Sequence, residues 1–172
     1  MTSEAHQAAM QRLKALLLQR WEPRRLDDCS FSFPWAAGCI PFSCYAEINP
    51  DLHAFIFRAI NPLKVEPPRR ALVAELLHRI NYDQPIGNWA INLDTGDVRF
   101  KNGFYFRNEV PTENMMRNTI HSSLSAIYHD IMAIVKLQTG GETLEQALAV
   151  RGEDHGIGIT KGMRVPGQPK MN

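Results

Sequence analysis

Between residues 69 and 139 the apolar side chains change their spacing twice, and that change leaves the chain few architectures. Leu72, Val73, Leu76, Leu77 and Ile80 fall on one stripe only if the backbone turns by about 100° per residue, so residues 69–82 are expected as a helix. After Gln84-Pro85-Ile86-Gly87 the period drops to two. Trp89, Ile91 and Leu93 point to one side, and beyond Asp94-Thr95-Gly96-Asp97 the residues Val98, Phe100, Asn102, Phe104 and Phe106 share a face. Gly96 suits the tight turn between them because it takes positive φ without a Cβ clash. The helical period then returns in Met116, Ile120, Leu124, Ile127, Ile131 and Ile134. Thr112 is the expected cap, Glu113 suits the positive end, and residues 113–139 would reach roughly 40 Å at about 1.5 Å per residue. Gly140-Gly141 ends that helix, and Leu144, Ala147 and Leu148 mark a short last one after Thr143.

The first third reads by the same rules. Met10, Leu13, Leu17 and Trp21 recur at three- and four-residue steps over residues 4–21, a helix that Pro23 stops. Phe31, Phe33 and Trp35 alternate with Ser32 and Pro34, a strand whose proline places it at a sheet edge. Ile40, Phe42, Cys44, Ala46 and Ile48 alternate with more polar neighbours in the next strand. Asn49-Pro50-Asp51 then opens a type I turn, so residues 52–60 fold back as an antiparallel partner. Residues 61–68, with three prolines, form a connecting loop.

The resulting order is α-β-β-β-α-β-β-α-α. It predicts an α+β fold, a five-stranded antiparallel sheet with helices packed on one side, in a single domain over residues 1–150. Residues 151–172 hold five glycines and two prolines and are expected as a glycine-rich C-terminal tail.

Composition mainly excludes. A formal net charge of +1 creates no global field for polyanions or anionic lipid, so nucleic acid and membrane are not expected partners. No apolar run approaches the roughly 20 residues that span a bilayer, and no basic segment precedes a hydrophobic one at the N-terminus. A cytoplasmic protein is the expectation. Cys29, Cys39 and Cys44 lack the paired spacing of zinc or redox sites and are expected as buried thiols. Neither metal nor cofactor is predicted.

The segment from Ala71 to Asn81, then Pro85-Ile86-Gly87 and Asp94-Thr95-Gly96-Asp97-Val98-Arg99-Phe100, resembles the YbjN family, with a looser match at Glu142-Thr143-Leu144-Glu145-Gln146-Ala147-Leu148. The resemblance covers roughly half the chain and rests on pattern and punctuation. It implies a fold like that of type III secretion chaperones, often homodimeric, and a chaperone-like or regulatory role in sensory transduction. It implies no catalytic residue.

Other chemistry can be weighed on the residues themselves. His121, Ser125 and His129 stand four apart on the long helix and could pair as in a hydrolase, yet they lie opposite the isoleucine stripe and no nucleophile turn accompanies them. His129-Asp130 and Asp154-His155 set carboxylates beside imidazoles, but adjacent helical residues diverge by about 100°. Residues 156–162 have only the look of a phosphate loop. Arg24, Arg25, Arg69, Arg70, Arg99, Lys101 and Arg107 could form a basic rim for nucleic acid, the alternative to a protein partner. The strands also carry many aromatic residues. Phe31, Phe33, Trp35, Phe104 and Phe106 are therefore expected to offer a partner-binding patch on a non-enzymatic, homodimeric protein-binding module.

Overall fold

The computed structural model describes residues 2–107 and 109–151. In chain order the elements are α1 (Ser3–Leu18), β1 (Arg24–Arg25), β2 (Ser30–Ala37), β3 (Ile40–Asn49), β4 (Ala54–Ile60), α2 (Arg70–Asp83), β5 (Asn88–Ile91), β6 (Val98–Tyr105), α3 (Glu113–Thr139) and α4 (Leu144–Ala149). One sheet runs β1-β2-β3-β4-β6-β5, every neighbour antiparallel.

The alternation read from the sequence decides which side of this sheet is dry. Register aligns Phe33 with Cys44, Ala46 with Phe57, Ala59 with Phe100, and Phe100 with Trp89, and all of these are buried. Against that face lie α1 over β3, α3 across β2, β4 and β6, and α2 beside β5. The opposite face carries Ser43, Tyr45, Glu47, Arg58, Arg99 and Lys101 and is wetter. The structure thus keeps the α+β layering but has six strands where five were expected. The extra one, β1, is two residues long, too short for any periodicity to show. It pairs Arg24 with Ser32 and Arg25 with Phe31, so the strand expected at the edge is covered over its first half.

Caps set the helix boundaries. Thr2 accepts from the Ala5 amide at 3.3 Å and Thr112 from the Met115 amide at 3.2 Å, each satisfying a donor that the helix leaves orphaned. α3 has the bounds expected for it, with its six-residue stripe from Met116 to Ile134 buried, and Gly140 at φ +90° ends it. A reciprocal capping box between Thr143 and Gln146 starts α4. At the β3–β4 turn, Asn49 Oδ1 accepts from the Leu52 amide at 2.8 Å, the side-chain bond that makes asparagine a turn residue.

Asp130 ties α3 to distant elements. Its carboxylate is 1% exposed, accepts the Trp89 indole N–H at 2.9 Å and takes the Arg151 guanidinium at 2.7 Å. A buried carboxylate is tolerable only when hydrogen-bonded and paired in this way. Arg151 heads the segment expected as a tail; the rest of it, with Asp154-His155 and the glycine-rich stretch 156–162, lies outside the described residues. Replacing Asp130 by alanine strands a buried donor and a mostly buried cation, so Asp130→Ala is expected to lower unfolding free energy by about 3 kcal/mol in urea titration. Trp89→Phe, which removes one neutral donor, should cost about 1 kcal/mol. A loss below about 1 kcal/mol for Asp130→Ala would show that the network holds nothing together.

Candidate functional site

β6 is longer than its outer neighbour. β5 reaches it only through the pairs Ile91↔Val98 to Asn88↔Lys101, whereas β4 stays with β6 as far as Tyr105. The hydrogen-bond phase shows where the unpaired stretch points. Asn61 donates to the Val98 carbonyl at 3.0 Å and Phe106 to that of His53 at 2.8 Å, so even-numbered residues of β6 address β4. Asn92 donates to the Asp97 carbonyl at 2.9 Å, so odd-numbered residues address the β5 side. Gly103 and Tyr105 therefore turn their backbone groups to an edge that β5 has already left.

Asn102 partly closes this edge. It is a buried polar residue whose Nδ2 donates to Ser123 Oγ at 3.0 Å while its Oδ1 accepts the Gly103 amide at 2.8 Å. Among the described residues nothing pairs with the Gly103 carbonyl or with either backbone group of Tyr105, which remain as a short template. Here glycine is needed for close approach: a Cβ on Gly103 would sit 2.4 Å from the Phe55 carbonyl oxygen. Beside this stretch lies a shallow concavity of about 420 Å³ bordered by Leu52, Ile56, Gly87, Lys101, Phe104 and Tyr105. Leu52 is 55% exposed and Tyr105 74% exposed, so part of its wall is apolar and open to a visitor.

The other edges of the sheet are guarded in part. Along β5, the Asn81 side chain imitates a strand, donating to the Trp89 carbonyl and accepting the Trp89 amide, each at 2.8 Å. Beyond β1, the exposed stretch of β2 contains Pro34, which lacks a backbone donor.

The five aromatic residues expected at a partner surface divide. Phe31, Phe33 and Phe106 are buried within the single chain at 3%, 2% and 6% exposure, so they fill its core. Trp21 packs against Phe33 with ring centroids 4.6 Å apart and planes tilted by 35°, a cover supplied just after α1. Trp35 and Phe104 are half-buried, and of the five only Phe104 borders the concavity. Tyr105, which is not among the five, also borders it, on the polar phase of β6 beyond the reach of β5.

Three members of the basic rim are engaged elsewhere. Arg69 donates to the Leu137 carbonyl at 3.1 Å, and Arg70 to those of Val65, Leu93 and Asp94 at 3.0, 2.9 and 2.7 Å, pinning a loop to the β5–β6 hairpin. Arg25 bonds Asp28 at 2.8 Å. Arg99 and Lys101 stay exposed on the open face. Of the cysteines, Cys44 alone is buried, and burial pushes its thiol up; Cys29 is partly covered and raised by burial and by Asp27, and Cys39 is exposed. Buried thiols were expected at all three, but Cys39 follows the Gly38 turn where no layer covers it. Among the described residues no group of three His, Cys, Asp or Glu side chains converges as metal ligands would.

No family model matches the chain, and no curated protein matches it. Among solved structures it is similar to the crystal structure of YbjN, "a putative transcription regulator from E. coli", with a TM-score of 0.56 at 13% identity over 69% of this chain and 85% of that one. The likeness supports the fold relation read from the sequence, at a distance where fold is all that is shared evidence. Among the described residues no helix is long and apolar enough to cross a membrane.

The helix-borne serine and histidines do not form a catalytic pair. Ser125 is exposed and bonds neither histidine among the described residues, and the His129 Nδ1 faces Asp130 at 2.9 Å. His121 is half-buried beside Trp21 and Leu16, and burial, seconded by the charges of Arg20 and Arg117, pushes its imidazole below the usual value. An imidazole that binds its proton less well folded than unfolded adds stability above about pH 6.5. That contribution is lost as pH falls toward the folded value, because the unfolded chain takes up the extra proton. NMR titration should place His121 below the ordinary imidazole value of about 6.5, and His121→Gln should flatten the fall of stability below that pH. An unshifted His121 titration would contradict the desolvated placement.

Proposed function

We propose that this protein is a non-enzymatic, regulatory or chaperone-like protein-binding module of the cytoplasm, which accepts an extended segment of a partner at the end of β6. The observation that carries the reading is the mismatch between β6 and β5, which leaves backbone groups of Gly103 and Tyr105 beside a concavity, while Asn81 covers Trp89 on the outer edge of β5 and Pro34 removes a donor from that of β2. Strand addition at such an edge obtains affinity from main-chain hydrogen bonds and specificity from alternate side chains. The regulatory part draws support from the fold shared with the E. coli protein described as a transcription regulator; fold analogy alone is a weak warrant, so the edge geometry bears the weight. A homodimer belongs to the same proposal, since a second copy can meet an exposed edge as readily as a client can.

Affinity purification of the full chain from native extract tests this directly. Tyr105→Pro removes the outward amide without touching the core, and it should lose the captured polypeptide at least about tenfold, a difference of roughly 1.4 kcal/mol. Tyr82→Ala, at a site 87% exposed on α2, should retain it. A partner that ignores Tyr105→Pro, or no specific partner at all, removes the proposal. Light scattering of the purified chain at monomer mass removes its dimeric part.

A further inference from the structure

Resting on that reading of the β6 edge, we propose that the accepted segment is acidic: an extended stretch of another protein that alternates acidic with apolar side chains and continues the line of β5 past Lys101. The register places the visitor's side chains. A residue opposite Gly103 on the open face would lie over a position with no side chain of its own, with Lys101 and Tyr105 as its diagonal neighbours. The next residue of the visitor would turn to the other side, where the half-buried Phe104 lies at the border of the concavity. One phase of the guest strand thus meets a lysine and a phenol, and the other meets the ring of Phe104.

Charge selects the acidic phase. Lys101 is the one charged residue among the described residues lining the concavity. Its cross-strand neighbour is Arg58, a like-charge pair that is destabilising when directly opposed. Glu47 pairs with Arg58 and is the one carboxylate on the strands of the open face, so among the described residues Lys101 has no ion-pair partner beside the free edge. Arg107, exposed just past the end of β6, adds a second cation at the other end of the stretch. A carboxylate brought in at Gly103 would offset charge that the fold itself leaves uncompensated. Single-stranded nucleic acid would also meet the cations, but it has no strand backbone to pair with the groups of Gly103 and Tyr105.

Fluorescence anisotropy with the full chain decides the matter, using short labelled peptides that alternate valine with glutamate, glutamine or lysine, and an oligothymidylate of similar length. The glutamate peptide should bind at least about tenfold tighter than the other two and weaken as salt is raised. Lys101→Glu, at an exposed position that leaves the core intact by circular dichroism, should erase or invert that preference, and Tyr82→Ala should leave it unchanged. Equal binding of all three peptides that Tyr105→Pro abolishes would overturn the acidic assignment while leaving the edge reading standing. Binding of none would overturn both. Oligothymidylate binding that Lys101→Glu abolishes, with no peptide bound, would overturn the proposal in favour of nucleic acid.

Discussion

The structure depends on one constraint: the phenylalanine side chains of the central strands must be dried from a single side, and α3 is the helix that crosses most of those strands. Its 27 residues cross β2, β4 and β6, with the stripe from Met116 to Ile134 buried against Phe57, Phe100 and their neighbours. Fully burying such a side chain contributes about 1.5–3 kcal/mol, so the aromatic content of the strands is spent on the chain's own core. The rings of Phe31, Phe33 and Phe106 are dry without any neighbour. That removes a general surplus of aromatic area as a motive for partner binding and leaves a local one.

Because α3 is anchored on one side, the other side and the edges can be specialised. Asp130 receives Trp89 from β5 and Arg151 from beyond α4, joining the far strand and the end of the described chain to the same helix. Asn102 and Ser123 make a second polar tie between β6 and α3, and that tie uses up the Gly103 amide. The open stretch of edge is thus a by-product of how the core is fastened: β5 stops at Asn88 because Gly87, at φ +76°, turns the chain toward α2. The concavity sits where that turn leaves β6 alone.

Much of the fold was legible in the sequence, and the reasons are local. Periods of 3.6 and two mark faces, so the helix 113–139 and the hairpin around Gly96 could be placed from spacing alone. Capping threonines at positions 112 and 143 act within three residues of themselves. The candidate site was poorly legible. Phe104 was singled out and borders the concavity, but so were Phe31 and Phe33, because alternation tells which residues share a face and not whether a helix covers it. Tyr105 and Gly103 carried no pattern of their own.

The sequence by itself determined the element order, the apolar face of each element and most of the punctuation between elements, since all of these follow from the conformational preferences of neighbouring residues. Only the tertiary structure decided which edge of the sheet stays open, that β1 exists, that Arg69 and Arg70 spend their donors on carbonyls, and that Asp130 is a buried anchor. Each of these rests on groups separated by tens of residues, from Asp130 to Trp89 or Arg70 to Asp94. A contact of that kind forms only once the layers have packed, and no periodicity announces it.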